Sequence, residues 1–231
     1  MNHQHKFWCV EGINLFDGLS PDQTEELKKR LKRVRYQKGE TIYFPGDPGD
    51  TLYFLHEGRV KLAYLDESGR RLTLTIVRPG EPFGEMAIAG EEEGRELIAE
   101  ALEDVNLCII PRSDFLNFIQ DKPLLSFRIT KLIGQRRREV ESKLEDLIFK
   151  DVPTRLSRLL LKLSEEYGQE TEVGVEIDLK LTHQELADLI GSTRETTTAM
   201  LNRLEDEGIL VKGRGQITIK NLEELRERAV L

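Results

Sequence analysis

Five short runs of β-forming residues lie between Tyr36 and Ile110, and turn-forming residues separate each run from the next. The runs are TIYF, TLYFLH, VKLAYL, RLTLTIV and NLCIIP, and the glycines among them are Gly39, Gly46, Gly49, Gly58, Gly69, Gly80 and Gly84. Strands of about five residues between turn signals are typical of an all-β barrel, roll or sandwich. The segment Asp66-Glu67-Ser68-Gly69 predicts a hairpin turn within it. The first half of the chain is therefore predicted to be a compact β domain.

A long helix is predicted to follow this β domain, between Ser113 and about Lys150. Its apolar positions recur at alternating spacings of three and four residues, which is the pattern of a two-stranded coiled coil. A helix that packs only within its own chain usually has a wider apolar stripe. The pattern therefore favours homodimerisation over a purely intrachain role. The residues on this seam are Thr130, Ile133, Arg137, Val140, Leu144 and Leu147.

The second half of the chain begins where Asp151-Val152-Pro153 interrupts the long helix, because proline disfavours helical geometry in the residue before it. We expect a β domain over residues 1–122, the long helix and a hinge over 123–151, and a third region over 152–231. In that third region the sequence predicts a helix from Thr154 to Tyr167, a polar loop GQETEVG and a strand VEIDL. A helix pair, a β-hairpin ILVKGRGQITI and a closing helix capped by Asn221 follow.

The helix pair is bounded by two predicted capping boxes. Thr182 and Glu185 form the first, so that helix one begins at His183 and ends at Gly191. Ser192 and Glu195 form the second, which starts helix two. Two short helices joined by a tight glycine turn and followed by a two-stranded wing predict a winged helix-turn-helix.

The start of helix two carries side chains that can recognise DNA. In this motif the N-terminal residues of the second helix contact base edges in the major groove. Arg194 can donate to guanine O6 and N7, and Glu195 can accept from a cytosine amino group. The residues that can bind phosphates or contact thymine methyl groups are Thr193, Thr196 and Thr198, with Lys212 and Arg214 on the wing. Alternatively, Glu195 serves only as the capping partner and Arg194 is an ordinary solvated arginine.

Charge does not by itself favour nucleic-acid binding, since the net charge is −8 and the pI is about 5.3. DNA binding therefore depends on local contacts. The chain has no run of about 18 apolar residues and no signal peptide, and its two cysteines are too few for a disulfide framework. We expect a cytoplasmic protein. It carries no P-loop, dinucleotide fingerprint, nucleophile elbow or metal-ligand spacing, so we expect neither an enzyme nor a metal site.

The quoted segments resemble the CRP/FNR family of bacterial transcription regulators. LTHQELADLIGSTRETTTAMLNRLEDEGIL is similar to its helix-turn-helix, and FKDVPTRLSRLLLKL to its hinge. KGETIYFPGDPGDTLYFLHEGRVKL and PGEPFGEMAI are similar to its cyclic-nucleotide-binding β-roll. The resemblance runs from about Leu15 to Leu222. It implies an α+β chain with an N-terminal, jelly-roll-like β-roll, a long dimerisation helix and a C-terminal winged helix-turn-helix.

The same resemblance implies a homodimer on a palindromic DNA site, and an activator that contacts RNA polymerase through the loop from Tyr167 to Gly174. In members that recognise a TGTGA-like half-site, two of the three base-contacting residues align with Arg194 and Glu195. The third, an arginine in many members, aligns with Ala199, so base preference at that position should differ or be relaxed. Thr182 and His183 align with phosphate contacts, although His183 is also consistent with an ordinary surface residue.

The effector pocket that the resemblance implies is altered. Gly84 and Glu85 match the pair that holds the ribose in cyclic-AMP-binding members. Arg95 matches the arginine that holds the phosphate, but Glu96 replaces the serine beside it, and its carboxylate repels a phosphate. Val140 and Glu141 replace the two hydroxyl residues that contact adenine. Cyclic AMP is therefore an unsuitable ligand, and Arg95 can instead form an internal ion pair with Glu85 or Glu96.

Three modes of control stay open. The protein is always competent to bind DNA, or it binds a different small anionic effector near Arg95, or it senses redox state through Cys9. Iron–sulfur sensing is excluded because it needs four cysteines. Cys108 is predicted to pack in the core. A competing hypothesis from another class is an effector-binding regulatory subunit that acts through protein partners, but such proteins lack the helix-turn-helix segment.

Overall fold

The computed structural model describes residues 10, 12–86, 94–213 and 215–230. The chain divides into two compact units. The first comprises residues 1–70 and 74–139, and the second comprises 71–73 and 140–231. No helix in the described part of the chain is both long and apolar enough to cross a membrane.

The first unit begins with a 3-10 turn, Asn14–Phe16, and a helix α1, Pro21–Arg30. Ser20 and Gln23 form a capping box at the start of α1. The strands that follow are β1 Lys32–Tyr36, β2 Thr41–Tyr43, β3 Thr51–Glu57, β4 Val60–Leu65, β5 Arg71–Val77, β6 Pro82–Phe83, β7 Ile98–Ala101 and β8 Val105–Pro111. Helix α2, Arg112–Ile119, and the long helix α3, Pro123–Phe149, come next.

The strands form two four-stranded sheets, in the orders β1-β8-β3-β6 and β2-β7-β4-β5. The recorded pairings in both sheets are antiparallel. Asp66 and Gly69 close the predicted hairpin turn between β4 and β5 through a backbone hydrogen bond of 3.0 Å. The predicted β domain is confirmed.

Two apolar clusters stabilise the first unit. Alternate side chains of β3 face the helices, where Phe54 and Phe115 are fully buried. Phe83 and Leu107 are buried in the second cluster, within the roll. Complete burial of side chains of this size contributes about 1.5–3 kcal/mol each. Cys108 belongs to the first cluster, as predicted.

The second unit contains the end of α3 and the elements beyond it. The helices are α4 Val152–Tyr167, α5 His183–Ile190, α6 Arg194–Asp206 and α7 Leu222–Val230. The strands are β9 Gly168–Thr171, β10 Gly174–Ile177, β11 Leu210–Lys212 and β12 Ile217–Ile219, in the sheet order β11-β12-β10-β9. Asp151 and Asn221 cap α4 and α7.

The prediction of a loop after α4 is wrong, because Gly168–Thr171 pairs with β10 as an edge strand. A tight turn joins the two strands: Thr171 Oγ1 donates to the carbonyl of Gly174, 2.8 Å away. All four residues of β9 are exposed, so its sequence carries no alternation of apolar and polar residues. The polar segment therefore looks like a loop, although its backbone is held in the sheet.

Candidate nucleic-acid interface and sensor region

The turn between α5 and α6 is as tight as the sequence predicts. Thr182 and Glu185 form the capping box of α5, and Gly191 ends the helix in the left-handed conformation with φ of 61°. The amide of Ser192 then donates to the carbonyl of Ala187 at 3.0 Å. Ala187 is fully buried, and its small side chain allows close packing at this point.

The cap of α6 lies one residue later than predicted. Thr193, not Ser192, is the N-cap, and its hydroxyl accepts from the amide of Thr196 at 3.2 Å. The expected capping box with Glu195 is therefore wrong, because the residue three positions after the true cap is Thr196. Glu195 consequently has no capping role.

Arg194 and Glu195 occupy the first two positions of α6, and both are exposed. Within the described part of the chain neither side chain has a hydrogen-bond or ion-pair partner. Ala199, one turn further on, is also exposed. The opposite face of α6 is buried through Thr197 and Leu201, so the exposed face is fixed in orientation. Both charged side chains are thus available to an external ligand.

The hydroxyl residues of the helix pair are partly engaged with one another. Thr193 Oγ1 donates to Thr196 Oγ1 at 3.0 Å. His183 Nδ1 and Thr198 Oγ1 are 2.8 Å apart and join α5 to α6. His183, expected near the DNA backbone, is therefore also a link within the protein. Thr182 uses its hydroxyl in the capping box.

The basic wing residue Lys212 is bound to α6 rather than free. Its ammonium group lies 2.9 Å from Glu205 Oε2, and it also donates to Asn202 Oδ1. Its backbone amide donates to Glu205 Oε1 at 2.9 Å. Arg214, the other expected wing contact, lies outside the described residues.

Sequence reasoning missed two residues near this surface, Asn202 and Lys180. Asn202 lies four residues after Thr198, so helical periodicity places it on the same face, but its contact with Lys212 requires the folded wing. Lys180 is exposed beside the wing turn: a Cβ atom added to Gly215 would lie 3.9 Å from the Cβ atom of Lys180. No described residue forms a hydrogen bond or an ion pair with the Lys180 side chain, so its ammonium group is available to a ligand.

In the first unit, Arg95 is buried and holds the backbone of two neighbouring segments. Its guanidinium donates to the carbonyl of Gly84 at 3.2 Å and to the carbonyl of Thr51. The rings of Tyr43 and Tyr53 lie 4.7 and 5.5 Å from its Cζ. The expected ion pair with Glu85 or Glu96 is not formed among the described residues. Cation–π contacts and carbonyl oxygens compensate the buried charge instead.

Glu85 is also buried, and burial raises the pKa of its carboxyl group. The positive charges of Arg136 and Arg95 oppose that rise. Arg136, from α3, donates to Thr75 Oγ1 at 3.2 Å and pairs with Glu139 at the same distance.

The three other residues expected at the effector pocket are all exposed. Glu96 is exposed. Val140 and Glu141 belong to the second unit and are exposed there. Cys9, on which the redox hypothesis depends, and residues 87–93 lie outside the described residues.

Comparison with known proteins identifies both halves of the chain. The cyclic nucleotide-binding domain family matches residues 33–122, and the Crp-like helix-turn-helix domain family matches residues 154–228. The cyclic AMP receptor protein of Thermus thermophilus is 33% identical over 220 residues, which are 95% of this chain and 98% of that protein. The chain belongs to the CRP/FNR family of transcription regulators. The global nitrogen regulator of Synechococcus elongatus is also 33% identical, over 84% of this chain and 88% of its own length.

Solved structures of CRP/FNR regulators agree with the fold. A CRP/FNR transcriptional regulator from Thermus thermophilus is 35% identical with a TM-score of 0.69, over 87% of this chain and 99% of that one. The c-di-GMP-responsive global regulator of Xanthomonas campestris is 28% identical with a TM-score of 0.78, over the same shares. The exposed α6 therefore belongs to the DNA-binding module of a CRP/FNR regulator. The relatives are transcription regulators, not enzymes.

Proposed function

We propose that this CRP/FNR regulator binds a palindromic DNA site as a homodimer, and that Arg194 and Glu195 recognise a TGTG-like core in each half-site. The observation that carries this proposal is the state of these two side chains. They are exposed in the first turn of α6 and have no partner among the described residues. An arginine there can donate to both acceptors of a guanine, and a carboxylate can accept from a cytosine.

Ala199 gives the site a feature of its own. An alanine cannot donate to guanine, and its methyl group can only pack against an apolar part of a base, such as the thymine methyl. The protein thus recognises the base pair opposite Ala199 weakly, or prefers thymine at that position. Phosphate contacts come from Lys180 and from the amide groups at the start of α5 and α6.

Homodimerisation is supported by the apolar surface of α3. Val140, Leu144 and Ile148 are 43%, 56% and 62% exposed and recur every four residues, on one face of the helix. Burial of this face against a second copy would remove it from water. Ile133, expected on the same seam, packs partly against the core of its own unit, Leu147 is half-buried, and Arg137 is exposed. The half-sites would lie about 34 Å apart.

We further propose that the protein activates transcription in the cytoplasm without cyclic AMP. Arg95 is already occupied by two carbonyl groups, and Glu96 supplies a carboxylate where a phosphate ligand needs a donor. The names of the relatives, which include cyclic AMP, c-di-GMP and nitrogen regulators, do not select one effector. A small anion near Arg95 is the remaining ligand class.

RNA polymerase would contact the exposed β9–β10 hairpin, which carries Glu170 and Glu172.

Selection of binding sites from a randomised duplex pool tests the DNA-binding proposal. The wild-type protein should enrich a palindrome with two TGTG-like halves. Arg194→Ala should lose about 1–3 kcal/mol of binding and relax one base pair in each half-site. Arg226→Ala is the matched control, since Arg226 is an exposed arginine on α7. An unchanged consensus with Arg194→Ala would contradict the assignment.

Titration of the selected duplex with and without cyclic AMP tests the effector proposal. We expect the same DNA affinity in both conditions. A gain of tenfold or more with cyclic AMP would show that Glu96 does not block the pocket.

Light scattering of the free protein tests the proposed homodimer, and Leu144→Glu should convert the dimer to a monomer.

A further inference from the structure

Lys212 makes three bonds to α6, two from its ammonium group and one from its backbone amide. Its ammonium group is bound by Glu205 Oε2 and Asn202 Oδ1, while its backbone amide is bound by Glu205 Oε1. Its side chain is only 19% exposed. Both oxygens of Glu205 are used, and hydrogen bonding to Lys212 lowers the pKa of that carboxyl group. The ammonium group is therefore neutralised and largely covered before any DNA arrives.

Asn202 lies on the exposed face of α6 that carries the proposed base contacts. It is seven residues after Glu195 and three after Ala199, and these spacings return to the same side of a helix. Its side chain is exposed, apart from the contact with Lys212. Among the described residues, Asn202 thus extends this face by one further turn.

The contact with Lys212 fixes which end of the Asn202 amide points outward. An ammonium group can only donate, so the amide oxygen must face Lys212. The NH2 group must then point away from Lys212, with two donors available. Base edges in the major groove offer acceptors to such donors, namely purine N7 and guanine O6. An asparagine free to rotate would lose conformational entropy on binding, and the bond to Lys212 removes part of that loss in advance.

We propose that Lys212 is a positioning residue that turns the Asn202 NH2 group toward DNA, and that Asn202, not Lys212, makes the contact. This inference rests on the proposed DNA binding by α6. Lys212 holds the wing, defined as β11, β12 and the turn between them, against the helix through Glu205. Asn202 is accordingly a further residue of the interface.

The experiment uses a fluorescein-labelled duplex that the full-length wild-type protein selects from a randomised pool. Binding is measured between 50 and 200 mM salt for Lys212→Met, Asn202→Ala, the double variant and Lys212→Arg. Lys180→Met is the charge-matched contrast, since it removes one free ammonium group from beside the wing turn. Thermal unfolding of each variant separates effects on binding from loss of the fold.

If Lys212 positions Asn202, the two single variants weaken binding by a similar factor, about threefold to tenfold, and the double variant is no weaker than either. Lys212→Met leaves the salt dependence unchanged, whereas Lys180→Met lowers its slope by about 0.9 for each phosphate that the protein no longer neutralises. Lys212→Arg retains donors and restores affinity. Both single variants change the selected base at the same position, which a purely structural role would not do.

Other outcomes overturn the inference. The first is a lower salt slope with Lys212→Met. The second is a double variant whose loss of affinity equals the product of the two single losses. The third is full affinity with Asn202→Ala. Failure of the wild-type protein to select any duplex would instead contradict the proposed function, so the two failures are distinguishable.

Discussion

His183 and Thr198 are joined by a hydrogen bond of 2.8 Å between the imidazole Nδ1 and the hydroxyl Oγ1. The bond connects the first turn of α5 to the second turn of α6, and fifteen residues separate the two partners in sequence. It therefore holds the two helices of the motif together at the end where α6 presents Arg194. The sequence predicts a DNA contact for each partner, and in the structure each also supports the other.

His183→Ala should lower the free energy of unfolding by about 1 kcal/mol, because it removes one hydrogen bond and leaves the Thr198 hydroxyl unpaired. Thr198→Val should have a similar effect. If the bond is the cause, the double variant is no less stable than either single variant. Urea unfolding followed by circular dichroism measures all three. Additive losses would show that the two side chains act independently.

The position of the α6 cap gives a second prediction. Thr193→Ala should destabilise the second unit by about 0.5–2 kcal/mol, since Thr193 is the residue whose hydroxyl accepts from an orphan amide. Ser192→Ala is the matched control and should change stability by less than about 0.5 kcal/mol. Glu195→Gln should likewise leave stability unchanged while altering the selected DNA sequence. A large loss of stability with Ser192→Ala would restore the cap predicted from the sequence.

Local features of this chain are predictable from sequence, and long-range partners are not. The capping box of Thr182 and Glu185 depends on residues three positions apart, so the sequence contains all its determinants. At α6, Ser192 and Thr193 are both good caps, and only the backbone geometry after Gly191 selects between them. Strand β9 is not evident from sequence because an exposed edge strand need not alternate. The partners of Lys212 depend on the folded wing, which no spacing rule specifies.

The buried guanidinium of Arg95 gives a third prediction. Arg95→Met should destabilise the first unit by about 3 kcal/mol, because the carbonyl oxygens of Gly84 and Thr51 would be left buried without a donor. Arg95→Lys should lose less, since lysine keeps the charge but lacks the forked geometry that reaches both oxygens. Thermal unfolding measures both variants. A stable Arg95→Met protein would indicate that Arg95 serves a ligand instead of the fold.

Lys143, near the C-terminal end of α3, donates from its ammonium group to the carbonyl of Leu189 at 2.6 Å. Burial lowers the pKa of Lys143 to about 8, and the positive charges of Lys162 and Arg155 act in the same direction. Asp146 opposes them. Burial of the protonated ammonium group near the end of α5 therefore costs free energy of folding, and this cost disappears when Lys143 loses its proton.

That cost predicts how stability varies with pH. Between about pH 8 and 10.4 the unfolded chain keeps its proton on Lys143 while the folded chain has lost it, so the unfolded state binds more protons. The contribution of Lys143 to the free energy of unfolding should then rise with pH, by at most about 1.4 kcal/mol per pH unit across this window. Below about pH 7 both states are protonated, and the contribution is constant. Lys143→Met cannot titrate, so urea unfolding of both proteins at pH 7, 8, 9 and 10 isolates the effect from all other groups. The difference between wild type and variant should change little from pH 7 to 8 and should then change steadily in favour of the wild type. A difference that stays constant up to pH 10 would mean that Lys143 keeps its ordinary pKa and is exposed to water in solution.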